Sequence, residues 1–233
     1  MGYKLNGCDT GGFPFYLIKP LLEKVDIKVF VETGTAAGES AKLAATLFEQ
    51  VYTIEIIKGR QQIKDSPSNI EFHTGYSVEI LPEIINELLK TKKSNHKEYV
   101  LFWLDAHYSG NTTNETGYPE CPLLEEIEAV AIYGEEALII IDDARLFLGH
   151  PPYPNNPNEW PTIKEIFELL TKHFPYHMIT ITDDYILCMS HHVKDVFEAE
   201  WRERYHIRYP NAADKLRTQT KDVYNALLKY IQC

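Results

Sequence analysis

The run Val29 to Ser40, VFVETGTAAGES, constrains this chain more than any other stretch: an apolar strand passes directly into a turn of small residues carrying Glu32, Gly34 and Gly38. A helix-forming run, AKLAATLFEQ, comes next, and then a second apolar strand, VYTIEI, whose Glu55 stands 21 positions after Gly34. Strand, tight turn, helix and strand in that order make a βαβ unit, which commits the chain to a parallel sheet with a crossover helix. Glycine has no Cβ and takes positive φ, so Gly34 and Gly38 let the turn fold tightly, while Thr35, Ala36 and Ala37 keep it narrow.

The layout is that of a nucleoside-binding unit. A carboxylate at the end of the second strand can accept two hydrogen bonds from a ribose diol, and charge-assisted bonds of that kind are strong; Glu55 is the candidate. A dinucleotide site needs GxGxxG so that backbone amides reach a pyrophosphate, whereas this turn reads GTAAG with Ala36 in the middle. Pyrophosphate is therefore disfavoured. S-adenosylmethionine offers adenosine without phosphate, and its cationic amino group suits an acid such as Glu32 at the mouth of the turn. The spacing E-x-G-x-A-x-G from Glu32 to Gly38 resembles the first motif of class I methyltransferases. The plain alternative is a tight strand-to-helix turn with Glu32 solvated.

With 233 residues and 44% apolar content, the chain can build one substantial α/β domain with decorations. Its net charge of -11 and pI near 5.3 argue against DNA and bulk RNA, whose binding leans on Lys and Arg neutralising phosphates. The segment TKKSNHKE reads as a solvated loop. Cys8, Cys121, Cys188 and Cys233 form no CxxC pair, so reduced thiols are the expectation. No apolar run reaches the roughly 18 residues of a membrane span, and MGYKLNGCDTGG lacks the apolar stretch of a secretory signal. The expectation is a soluble, cytoplasmic protein.

Apolar strands alternate with amphipathic helices, the pattern of a doubly wound, mostly parallel sheet with helices on both faces. Strands are expected at 27-33, 50-56, 69-74, 99-105 and 137-143, with helices near 39-48, 77-91 and 121-133 and another after Trp160-Pro161. In YHMITITDDYILCMS two β-rich runs flank Asp183-Asp184, too short a connection for a crossover helix, so an antiparallel hairpin is predicted. The organisation is then an N-terminal segment 1-24, a main domain 25-190 and a polar helical extension 191-233 that caps the sheet or supports a homo-oligomer. The segment GCDTGGFPF and the loop GHPPYPNNPNEW are candidate lids, the alternative being plain surface connection.

FWLDAHYSG ends one strand at Asp105, and ALIIIDDARLF ends the next at Asp142 and Asp143. Parallel strands deliver their carboxyl ends to one edge, where ligands bind, and neighbouring strands lie about 4.8 Å apart. Three carboxylates there repel unless a proton or cation intervenes; an all-oxygen set suits Mg²⁺, Mn²⁺ or Ca²⁺. The competing reading is that Asp142 or Asp143 caps the following segment while Asp105 holds the cofactor or a backbone amide. His107, two residues beyond Asp105, is suited to accept a hydroxyl proton near neutral pH; Asp105 is the other candidate base, and a hydrogen-bonded loop histidine is the bland alternative. Arg145 reads as an ion-pair partner of the aspartates.

Taken in order, VETGTAAGES, VYTIEI, NIEFHTGYS, FWLDAHYSG, PLLEEI and IIIDDARLF look like a bacterial-type group of class I methyltransferases. The resemblance covers roughly residues 25 to 190. It implies a Rossmann-like seven-stranded sheet ending in an antiparallel hairpin, with Glu32, Gly34, Thr35 and Gly38 at the methionine end of S-adenosylmethionine, Glu55 on the ribose and Tyr76 and Ser77 at the adenine. The strand-end aspartates resemble the metal site of metal-dependent O-methyltransferases, with Asp143 where the catechol type has Asn. The expectation this resemblance carries is metal-assisted O-methylation of a small-molecule or carbohydrate hydroxyl. The rivals are a metal-dependent hydrolase or hydroxylase using Asp105, His107, Asp142 and Asp143, and a noncatalytic binding subunit.

Overall fold

The computed structural model describes residues 12–58, 66–92, 97–107 and 117–208. Their strands are β1 (Ile27–Thr33), β2 (Gln50–Glu55), β3 (Ile70–Thr74), β4 (Tyr99–Leu104), β5 (Ala137–Ile141), β6 (His177–Thr182) and β7 (Tyr185–Ser190). The helices are α1 (Phe15–Leu22), α2 (Glu39–Ala44), α3 (Ser77–Thr91), α4 (Leu123–Val130), α5 (Ile163–His173) and α6 (His191–Arg208). One seven-stranded sheet runs β3-β2-β1-β4-β5-β7-β6. The first five strands of the chain pair in parallel, and β7 lies antiparallel between β5 and β6. This is the expected Rossmann-like sheet with its terminal hairpin.

The sequence explains the layering. β4 and β5, YVLFWL and ALIII, are buried along their whole length, as parallel strands covered on both faces must be. On one face Phe30, Trp103, Leu138 and Leu187 pack with Ile18 of α1, Ala41 of α2 and Val193 of α6. On the other Val31, Phe102 and Ile139 pack with Ile84 of α3, Ile127 of α4 and Ile166 of α5. The β6–β7 turn is the two residues Asp183-Asp184, and Asp183 supplies its left-handed φ of 53°. α5 starts at a capping box in which Thr162 Oγ1 accepts the Glu165 N–H while the Glu165 carboxylate accepts the Thr162 N–H.

Two expectations are corrected. The strand expected to run to residue 143 ends at Ile141, because Asp143 takes φ 55°, outside any strand conformation. The N-terminal segment, a candidate lid with plain surface connection as the alternative, is core over its described part: Phe13 and Ile18 are 0% exposed and Leu21 1%. Leu17, Ile18 and Leu21 share a helical face, and Phe13 meets Phe30 and Trp103 edge-on. Residues 1–11 and 209–233 lie outside the described residues. No helix among the described residues is long and apolar enough to cross a membrane.

Candidate active site

Chain order reverses between β1 and β4, which opens a crevice at the carboxyl ends of the strands. Its floor is the turn after β1, where Gly34, Ala36 and Gly38 alternate as left-handed residues with φ 87°, 44° and 73°. At Gly34 a Cβ would sit 2.4 Å from the Asp105 carbonyl oxygen, so glycine is required there by the β4 backbone as much as by any ligand. Gly38 is the N-cap of α2 and is buried beneath the turn.

Glu32 does not stand at the mouth of this turn. It shares a strand face with Phe30 and is 0% exposed beneath the loop. The Ser40 hydroxyl donates to Glu32 Oε1, and the Thr53 hydroxyl donates to Oε2 at 2.6 Å. Thr53 Oγ1 in turn lies 2.6 Å from Thr35 Oγ1, so the Thr35 side chain also points inward. Burial raises the Glu32 carboxyl to about 7 against the pull of these hydroxyls. Glu32 and Thr35 therefore brace the turn from below.

Glu55 lines the crevice as expected. Its Oε2 accepts the Ala36 N–H at 2.9 Å and its Oε1 the Ile57 N–H at 3.0 Å. Each oxygen keeps a lone pair. The Gly75 N–H donates to the Glu55 carbonyl at 3.0 Å, which hangs the Gly75–Ser77 segment beside it. The resulting cleft holds about 800 Å³ of non-atom space, its open mouth included, with Gly34, Glu55, Tyr76, Ser77, Asp105 and His107 among its walls. Tyr76 is stacked on Tyr118, ring centroids 4.2 Å apart.

On the cleft wall formed after β4, His107 Nε2 meets Asp143 Oδ2 at 2.9 Å, and His107 Nδ1 stands 3.6 Å from Asp105 Oδ1. Arg145 Nη1 donates to Asp143 Oδ1 at 2.6 Å and also to Asp184 in the β6–β7 turn, fulfilling its expected partner role. Burial would raise Asp143, but the His107 and Arg145 bonds hold it below the usual carboxylate range. Asp105 is pushed well above that range by burial and then by Asp142 and Asp143. Asp142 rises to about 7, by burial first and Asp143 second. An ionised Asp143 only accepts, so His107 Nε2 donates to it, and Nδ1 faces Asp105.

No family model matches this chain, and no curated protein does. Among solved structures, it is similar to human Methyltransferase-like protein 13 in complex with SAH (12% identity, 79% of this chain and 85% of that chain covered, TM-score 0.46). A putative type 11 methyltransferase from Sulfolobus solfataricus is similar at 12% identity over 77% of this chain and 92% of that one, TM-score 0.46. The N-methyltransferase NodS from Bradyrhizobium japonicum WM9 in complex with S-adenosyl-l-homocysteine is similar at 13% identity, 74% and 82% coverage and TM-score 0.41. Nothing about this chain's own site comes from likenesses of that size.

The expected metal set does not assemble. Asp142 spends Oδ1 on the Asp143 N–H at 2.7 Å, and its Oδ2 lies 2.8 Å from where a Gly12 Cβ would stand. Asp143, its neighbour, reaches away to His107 and Arg145. Among the described residues no three His, Cys, Asp or Glu side chains are arranged to hold a metal ion. The residues do fit an adenosine: an acid with two free lone pairs, a narrow turn without a row of phosphate-facing amides, and a buried Ser77 hydroxyl that lacks a hydrogen bond.

Sequence reading missed the wall opposite the turn. Glu120 Oε2 accepts both the Trp160 Nε1–H and the Asn156 N–H at 2.8 Å, and Trp160 packs on His107 with ring centroids 5.4 Å apart. The loop expected as a lid is thus docked on the cleft edge at its Trp160 end. The only sequence signal was the aromatic in NEWP, which gives no hint of a partner 40 residues away.

Proposed function

We propose that this chain is an S-adenosylmethionine-dependent methyltransferase that methylates a hydroxyl of a small-molecule or carbohydrate acceptor. The observation that carries the reading is Glu55: at the end of β2, in the cleft wall, each of its oxygens holds one backbone amide and keeps one lone pair, a match for the two hydroxyls of a ribose. Gly34 would then hold the methionine end, with His107 on the side from which an acceptor would approach. Bound S-adenosylmethionine supplies the electrophilic methyl group.

The protein's part is alignment and one proton. Asp143 fixes the His107 ring and Trp160 backs it; Nδ1 would take the acceptor's proton while the methyl–sulfur bond breaks and its electron pair leaves on the sulfur. Asp105 stands across from Nδ1 to position that hydroxyl. Metal assistance is left out of the proposal, because Asp142 and Asp143 are committed in different directions. Among the described residues no Lys or Arg lines the cleft, which supports a neutral acceptor over an anionic one.

Calorimetry with S-adenosylhomocysteine is the test. Micromolar binding that Glu55→Ala weakens at least tenfold supports the reading; no heat at high micromolar ligand removes it. Methyl transfer to a panel of alcohols, amines and carboxylates then tests the hydroxyl.

A further inference from the structure

The segment that carries Asp143 is held from the far side of the sheet. β5 ends at Ile141 and Asp143 takes a left-handed φ of 55°, so the two backbone N–H groups that follow it lie beyond the paired residues of the strand. Both go to one residue, Asp184, the second of the β6–β7 turn. The Ala144 N–H donates to the Asp184 carbonyl at 2.8 Å, and the Arg145 N–H donates to Asp184 Oδ1 at 2.9 Å. The Arg145 guanidinium donates to Asp184 Oδ2. One turn residue thus fixes both the backbone after Asp143 and the side chain of Arg145.

As a stabilising device this pairing is poor. The Arg145 side chain is 58% exposed and that of Asp184 35%, and exposed ion pairs contribute little. Its geometry points to another use. The Arg145 Nη1 that meets Asp184 also donates to Asp143 Oδ1 at 2.6 Å, and the other oxygen, Oδ2, meets His107 Nε2 at 2.9 Å. A carboxylate held only by the histidine can swing about its own side-chain torsions. A second bond, from a guanidinium anchored at Asp184, fixes the plane in which Oδ2 faces the ring. Resting on His107 as the base of the proposed reaction, we propose that Asp184 is a positioning residue for that base, acting through Arg145 and Asp143. Asp184 does not itself line the cleft. The β6–β7 hairpin is then a working part of the site, because its turn sets the tilt of an imidazole carried two positions along the sheet, after β4.

The test reads the ring itself by proton NMR. An imidazole N–H bonded to a carboxylate gives a downfield resonance that exchanges slowly with solvent, and that of His107 is identified by its loss in His107→Ala. Asp184→Asn keeps the carbonyl for Ala144 and an amide oxygen for the Arg145 N–H, and removes the charge that anchors the guanidinium. The His107 proton should exchange about tenfold faster in Asp184→Asn and in Arg145→Met, and no faster again in the double variant. A merely structural role lowers the melting temperature and speeds amide exchange across β5 and β7 alike. Unchanged exchange of the His107 proton in Asp184→Asn, or no such resonance in the wild type, overturns the inference. With an alcohol that the protein methylates, Asp184→Asn should lower kcat about tenfold, keep S-adenosylhomocysteine affinity within about threefold, and cost nothing further in a His107→Ala background. The spectra need no cofactor. A wild-type protein that binds no S-adenosylhomocysteine removes the cofactor reading, and the resonance still decides whether Asp184 orients the ring.

Discussion

Glu55 Oε2 accepts the backbone N–H of Ala36 at 2.9 Å, and Ala36 is the one non-glycine residue of the turn held at a left-handed φ, 44°. The carboxylate proposed to grip a ribose is therefore also the group that holds the turn in its strained shape. Loss of Glu55 should act twice, on the proposed ligand and on the loop beneath it.

Ala36→Gly removes the strain without removing the N–H. The left-handed conformation costs an alanine about 1 kcal/mol, partly offset by the greater freedom of glycine in the unfolded chain. The expected outcome is a melting temperature equal to or a few degrees above wild type, with S-adenosylhomocysteine affinity retained. A clear drop in melting temperature would mean that Ala36 is not held as described.

Stability should fall as pH rises through neutrality. Glu32 and Glu126 have folded pKa values near 7 against an ordinary 4.5. Between those values the folded chain binds more protons than the unfolded one, so the slope of unfolding free energy with pH is negative. Their contribution is fully present below about pH 4.5 and is lost through pH 7. Melting curves from pH 5 to 8 should therefore shift downward, and Glu32→Gln, which stays uncharged throughout, should flatten the trend.

The Tyr76 and Tyr118 rings are 4.2 Å apart and nearly parallel, too close for a base to enter between them. Stacking of this kind is worth about 0.5–1.5 kcal/mol. Tyr118→Ala frees one face of Tyr76 and should tighten S-adenosylhomocysteine by about two- to tenfold in calorimetry. Weaker binding would show that the base uses the pair intact.

His107→Ala should lower methyl transfer by about 10²–10⁴-fold, the usual range for loss of a general base, and leave S-adenosylhomocysteine affinity within about threefold. Arg145→Met should change melting little, since Arg145 is 58% exposed and such ion pairs contribute little. Its cost should appear in turnover, through an Asp143 no longer steadied from the β6–β7 turn.

Much of the fold was legible because it repeats simple periods. The boundaries of β1 and α3 follow from the glycine turn and from Leu81, Ile84 and Ile85 at helical spacing. The hairpin at Asp183-Asp184 followed from the shortness of its link. α1 was not anticipated within the N-terminal segment; its Pro20 falls near the helix end and the apolar face survives. Within the site, strand ends told which residues converge but not where their side chains turn. Glu32 was misplaced although its period-two partner Phe30 points into the core; Asp142 and Asp143 were joined although successive residues of an extended chain diverge. Glu126 on α4 and Glu120 in the loop before it carried no signal at all, since an acid that meets a partner from distant sequence looks like any other.

One oxygen of Glu120 fastens the segment from Asn156 to Trp160 to the connection after β4. That stitch makes the loop poorly transplantable: a graft with a different sequence strands a half-enclosed carboxylate and loosens the tryptophan behind His107. Change in this loop should then come in pairs, one within it and one at position 120, rather than as free drift.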